Sequence, residues 1–232
     1  MKLIEVERLE AFYGDMQALF GVSLGLAEKE CLALVGANGA GKSTLLRCLV
    51  GLNQRVRGAI RFDGKDIVGI AAEKIARSGI AMVPEGRMLF AELTVEENLT
   101  MGMLTKRTGN WTLPRVYELF PILAERRKQM AITLSGGQQQ MVAIGRGLLS
   151  NPRVMLCDEI SLGLAPVVVG QIYDSFRIIR AEGMSLVVVE QDINRALSVS
   201  DRLICLLKGQ VTLEARSADV DMTRLTAAYF GE

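Results

Sequence analysis

The chain has 232 residues, half of them apolar and 23% charged, with a formal net charge of +1 and no histidine. Such a length suits one large α/β domain or two closely packed lobes, and it buries roughly 70% of the surface of the unfolded chain without metal or disulfide staples. The near-neutral charge gives no support to nucleic-acid binding through a basic surface. No apolar run approaches the ~20 residues of a membrane-spanning helix.

Acids at Glu5 and Glu7 occupy a stretch that would be apolar in a signal peptide, so the chain is expected in the cytosol unless a partner holds it at a membrane. Cys31, Cys48, Cys157 and Cys205 have no C-x-x-C spacing and lie in apolar stretches. They read as reduced, buried small hydrophobes.

In chain order, Leu3–Leu9 and Val22–Leu26 alternate as strands, and Cys31–Val35 is a short buried strand running into glycines. A helix is predicted over Lys42–Val50, a strand over Gly58–Asp63, a helix over Ala71–Arg77 and a strand over Ile80–Val83. From about Glu92 to Ser150 the pattern turns helical. Thr94-x-x-Glu97 is a capping box opening a helix to about Met103. A second helix covers Pro114–Lys128 and is interrupted near Pro121. Ser135-x-x-Gln138 is another capping box, opening a helix to Ser150. Alternation then returns: strand Val154–Cys157, helix Val167–Ala181, strand Leu186–Val189, helix Asp192–Ser198, strands Leu203–Leu207 and Val211–Glu214, and a last helix over Asp219–Phe230. The expected fold is α/β: a mostly parallel sheet with flanking helices, an antiparallel N-terminal β part and a helical insertion.

Gly36-Ala37-Asn38-Gly39-Ala40-Gly41-Lys42-Ser43 fits G-x-x-x-x-G-K-S/T, with Thr44 following, and it lies between a strand and a helix. Glycines let backbone N–H groups curl round a phosphate, and the helix N-terminus adds partial positive charge. Lys42 can reach β- and γ-phosphates and the Ser43 hydroxyl can ligate Mg²⁺. Strand Val154–Cys157 ends in Asp158 and Glu159, at the strand edge where parallel sheets bind ligands. Asp158 suits Mg²⁺ through water, and Glu159 is placed to polarise an attacking water. Leu134-Ser135-Gly136-Gly137-Gln138 spends two glycines in a first helical turn, which costs helix propensity but lets backbone approach an anion.

Together these motifs resemble the ATP-binding-cassette (ABC) ATPases along the whole chain. The resemblance implies a P-loop cassette over residues 1–232, with a nucleotide-binding core at 1–91 and 151–232 and a helical subdomain at 92–150. It implies that Tyr13 stacks on adenine, that Glu85, on a lid loop, joins Ser43 and Asp158 around Mg²⁺, and that Gln191 is a polar switch touching the γ-phosphate. Leu134–Gln138 would be the signature that contacts ATP bound to a partner cassette. Two departures from the wider family, Glu85 for glutamine and Gln191 for histidine, are typical of one branch, and Ile160 stands where proline is usual, which implies a looser turn there. The finer resemblance, carried by Val83–Arg87, Leu93–Leu99, Tyr117–Pro121, Ser161–Pro166 and Val189–Gln191, is to an ATPase subunit of branched-chain (hydrophobic) amino-acid importers. Urea and short-chain-amide importer subunits are close alternatives, and a soluble ABC ATPase without a transporter is a third. The implied partners are a second cassette, two membrane permeases and, indirectly, a solute-binding protein, with the chain peripheral on the inner face of the cell membrane.

Overall fold

The computed structural model describes residues 2–53 and 55–231. Strands β1 (Lys2–Tyr13), β2 (Met16–Ala27), β4 (Val56–Phe62) and β5 (Lys65–Asp66) form an antiparallel sheet in the order β2-β1-β4-β5. A six-stranded sheet carries β3 (Cys31–Val35), β6 (Ile80–Val83), β7 (Val154–Asp158), β8 (Ser185–Val189), β9 (Arg202–Leu207) and β10 (Gln210–Arg216). Its order is β10-β9-β3-β8-β7-β6, parallel throughout except for edge strand β10.

Both faces of this sheet are covered, which is why its strands read as unbroken apolar runs. Along β8, Val187 and Val189 join a core shared with helix α1 (Lys42–Leu49) and the antiparallel sheet. Leu186 and Val188 join the opposite core, with helices α6 (Gly136–Leu148) and α7 (Pro166–Ala181). The period-two alternation of strand side chains thus divides one apolar run between two cores. A third cluster packs Ala33, Val35, Leu203 and Cys205 against helices α8 (Ile193–Val199) and α9 (Met222–Phe230).

Between the sheet's β6 and β7 the chain is helical, as the sequence predicts, but its pieces are shorter. Helix α2 (Ala72–Ser78) precedes β6. Helix α3 (Val95–Thr100) opens at Thr94 with both capping-box hydrogen bonds and passes into a tight turn over Met101–Thr105 rather than running to Met103. Pro121 splits the next stretch into α4 (Leu113–Leu119) and α5 (Pro121–Glu125), because proline cannot donate the hydrogen bond that would continue the first helix. The last helix starts at Met222, where Asp221 accepts from the N–H groups of Thr223 and Arg224. All four cysteines are buried and free. Burial pushes the thiols of Cys31 and Cys48 up to about 12. Among the described residues no helix is long and apolar enough to cross a membrane.

Candidate functional site

Because β3, β7 and β8 are parallel and adjacent, their C-terminal ends deliver three loops to one edge. Val189 is paired in register with Leu34 on one side and Asp158 on the other. The loops that follow carry the phosphate-loop motif, Glu159 and Gln191.

The phosphate loop closes on itself. Gly36 has φ +149, and a Cβ there would lie 2.2 Å from the Leu206 carbonyl oxygen, so only glycine lets the loop leave β3 beside β9. Lys42, 3% exposed, turns back over the loop. Its Nζ donates to Gly36 O at 2.7 Å and Ala37 O at 3.1 Å, and lies 3.5 Å from Glu159 Oε1. The Ser43 hydroxyl donates to Asp158 Oδ1 at 3.1 Å. Gln191 Nε2 donates to Glu159 Oε2 at 2.7 Å and to Asn38 Oδ1 at 3.2 Å. Tyr13, half exposed at the end of β1, makes a long 3.4 Å contact from its hydroxyl to Thr44 Oγ1.

These residues border a cleft of about 710 Å³ lined by Tyr13, Asn38–Thr44, Glu85, Glu159 and Gln191. Asp158 sits behind it, buried, reached through Ser43. Desolvation pushes the Asp158 carboxyl above its usual range, Ser43 opposes this, and the like charges of Glu159 and Glu85 add to it. Asp158, bonded to the Ser43 hydroxyl and repelled by Glu159 and Glu85, is in a setting that a hard divalent cation would relieve. Magnesium takes one or two carboxylates plus phosphate and water oxygens, which matches a Ser43–Asp158 pair facing a phosphate loop. Among the described residues no cluster of three or more His, Cys, Asp or Glu groups forms a self-contained metal cage.

Glu159 has φ +46, a left-handed conformation uncommon outside glycine. Proline at position 160 would push its predecessor toward extended backbone, whereas Ile160 leaves it free to turn. Sequence reasoning expects a loose turn at Ile160. Instead Ile160 is buried, Glu159 N donates to Val189 O at 3.1 Å, and Leu162 N donates to Glu159 O at 3.2 Å.

The lid segment after β6 is also held. Asn98, fully buried, accepts from Phe90 N and donates to the carbonyls of Phe90, Leu93 and Thr94. Arg87 Nη1 donates to Gln139 Oε1 at 3.1 Å, linking the lid to α6.

The signature residues Leu134–Gln138 do not reach this chain's own cleft. Ser135 and Gln138 form the predicted reciprocal cap at the start of α6. Gly137 also has a packing reason that the sequence does not reveal. A Cβ on Gly137 would lie 2.4 Å from Val168 Cγ1, and one on Gly136 would lie 3.0 Å from Arg87 Nη2.

Beside Leu162, from the Ser161–Pro166 stretch, the cleft includes Met16, Gln17, Ala18, Phe20 and Lys208, none of which the motifs point to. They arrive through two hairpins: Phe20 N donates to Gly209 O, and Gly209 N donates to Ala40 O, both at 2.9 Å. The glycines at Gly14 and Gly209 mark the turns, but only the packing of one hairpin on the other brings them to the phosphate loop.

The family model described as "ABC transporter" matches residues 19–161, more than half of the chain. The chain is 44% identical over 232 residues to the high-affinity branched-chain amino acid transport ATP-binding protein BraG of Pseudomonas aeruginosa, covering 99% of this chain and 100% of that one. It is 29% identical over 254 residues to BraF, a protein of the same description and organism, covering 99% and 98% of the two chains. A dimeric, post-hydrolysis structure of an ATP-binding cassette bound to ADP and Pi superposes with a TM-score of 0.82 at 26% identity, covering 92% of this chain and 98% of that one. With the strand-edge cleft and its glycine-rich loop in place, these matches show that the chain belongs to the ABC transporter family as an ATP-binding cassette.

Proposed function

We infer that this chain powers an importer of branched-chain or other hydrophobic amino acids, working beside a second cassette and two membrane permeases fed by a solute-binding protein. The observation that carries the reading is the end-to-end 44% identity with BraG. It favours amino acids over urea or short-chain amides as cargo. The parallel 29% match to BraF favours a sister cassette over self-pairing, since one organism holds both chains under the same transport description.

Within the site, Lys42 and the N–H groups of Gly36–Thr44 hold the phosphates, and Tyr13 covers the adenine. Ser43, Asp158 and Glu85 supply hard oxygen donors for Mg²⁺, which when bound neutralises charge on the β- and γ-phosphates. Glu159 orients and polarises the attacking water, and Gln191 donates an amide N–H to the γ-phosphate. The signature residues Ser135–Gly137 lie outside the chain's own cleft, which supports their use on nucleotide bound to a partner. A second cleft, of about 530 Å³, is bounded by Leu52, Met88, Phe90, Met101 and Leu104 and reaches Glu85. Leu52, Met88 and Leu104 are more than 60% exposed. This apolar groove beside a metal-site residue fits a cytoplasmic segment of a permease.

Deleting the gene and measuring uptake of labelled leucine, isoleucine and valine tests the reading. Loss of high-affinity uptake, restored by the wild-type chain but not by the Lys42→Ala variant, is the expected result. Unchanged uptake of all three, with loss of urea uptake instead, overturns the assigned cargo.

A further inference from the structure

Glu190 is 2% exposed, a buried carboxylate beside the cleft that the proposed chemistry does not use. It directly follows β8. Strand alternation turns its side chain inward as Gln191 turns out to the nucleotide cleft. Its backbone N–H donates to Leu34 O at 3.2 Å, just before the phosphate loop.

The carboxylate has two hydroxyl partners. Tyr173 of α7 donates to Oε1. Ser161 donates from Oγ to Oε2 at 2.8 Å. The same Ser161 Oγ accepts from Arg195 Nη1 of α8 at 2.9 Å. Burial pushes the Glu190 carboxyl above its ordinary range, so the group is held at a cost in solvation. A buried carboxylate has to keep its hydrogen-bond donors, and so it specifies where they sit.

Ser161 is two residues past Glu159, and Ile160 between them is buried. The loop therefore has little slack between the Ser161 hydroxyl and the Glu159 side chain. We propose that Glu190 is a positioning residue: by clamping Ser161 it holds the left-handed turn at Glu159 so that the Glu159 carboxylate meets Gln191 at the nucleotide. The clamp rests on the reading of Glu159 as the group that polarises water.

The test uses the full chain co-expressed with its partner subunits, and measures kcat for ATP hydrolysis beside Kd for a fluorescent ATP analogue. Ser161→Ala removes the clamp while leaving Glu190 bonded to Tyr173, and Glu190→Ala removes it from the other side. Both should lower kcat about 10- to 100-fold, the scale of a small misplacement of a reacting group, with Kd changed by less than about threefold. Ser161→Thr and Glu190→Gln, which keep a hydroxyl and an acceptor at the same places, should recover most of the rate. Wild-type kcat in both alanine variants overturns the clamp, as does a joint loss of affinity and thermal stability that the threonine and glutamine variants fail to restore. Glu159→Gln runs beside them. If that variant hydrolyses ATP normally, the reading of Glu159 falls and the clamp with it. If it is inactive while Ser161→Ala is normal, only the clamp falls.

Discussion

Gln191 Nε2 and Glu159 Oε2 lie 2.7 Å apart, so side chains leaving two neighbouring parallel strands meet at the lip of the strand-edge cleft. The amide donates without carrying charge, so this contact does not titrate with Gln191.

Gln191→Ala should lower ATP turnover roughly 10- to 10³-fold, the range for losing one preorganised donor. Gln191→His should retain more activity than the alanine variant, because the ring restores a donor, and its rate should vary near neutral pH where an imidazole titrates. Nucleotide affinity should change less than turnover in both. Steady-state hydrolysis beside nucleotide titration checks this, and wild-type turnover in Gln191→Ala would remove the switch assignment.

Glu159→Gln preserves shape and an acceptor for Gln191 but removes the anion. ATP should still bind, paired cassettes should live longer, and turnover should fall by roughly 10²-fold or more. Single-turnover kinetics and size-exclusion chromatography with ATP report both effects.

Lys42→Ala takes away an ammonium that holds the Gly36 and Ala37 carbonyls and faces Glu159. Nucleotide binding or hydrolysis should collapse. Equal ATPase activity in variant and wild type would show that the phosphates lie elsewhere.

Gly137 separates two explanations for the signature glycines. Gly137→Ala drives a Cβ into Val168, and overpacking of this kind typically costs about 1–3 kcal/mol. Adding Val168→Ala should restore stability in chemical denaturation. If hydrolysis stays low in that stable double variant, Gly137 serves a partner's nucleotide; if it returns, the glycine serves only packing between α6 and α7.

Stability should report the ionisation of Glu190. Burial raises its pKa above the ordinary 4.5 and Asp192 adds to this, while its hydroxyl partners and Arg195 oppose it. A carboxyl whose folded pKa is raised contributes stability that is fully present below its unfolded pKa and is lost as pH rises through the folded value. Glu190→Gln has no such ionisation. The stability of wild type minus that of the glutamine variant should therefore decline between acid and neutral pH. A difference that rises over that window would reverse the sign assigned to the site.

Much of this architecture is legible in the residues themselves. Apolar runs such as Val154–Cys157 announce strands buried on both faces, and the caps at Thr94 and Ser135 fix two helix starts locally. The phosphate loop is legible because its glycines, Lys42 and Ser43 are adjacent in sequence. What depends on distant contacts is not. Phe20 and Lys208 reach the cleft only because two hairpins stack at Gly209, and Glu190 reads as the polar tail of a strand until Ser161 and Tyr173 are brought against it. Helix ends were also obscured where a tight turn over Met101–Thr105 or the break at Pro121 replaced continued α-helix.

The four cysteines give the protein a silent chemical background. Cys31, Cys157 and Cys205 lie in three strands of the central sheet and Cys48 on the helix behind the phosphate loop, all shut from solvent. A thiol attacks as the thiolate, and burial disfavours that form at each of these positions. Alkylating reagents should therefore pass over the native chain and mark it only when the sheet opens. Brief exposure to such a reagent turns the unmodified protein into a recorder of its own opening. The same silence lets a single cysteine placed on the surface carry a probe without first stripping out the natural ones.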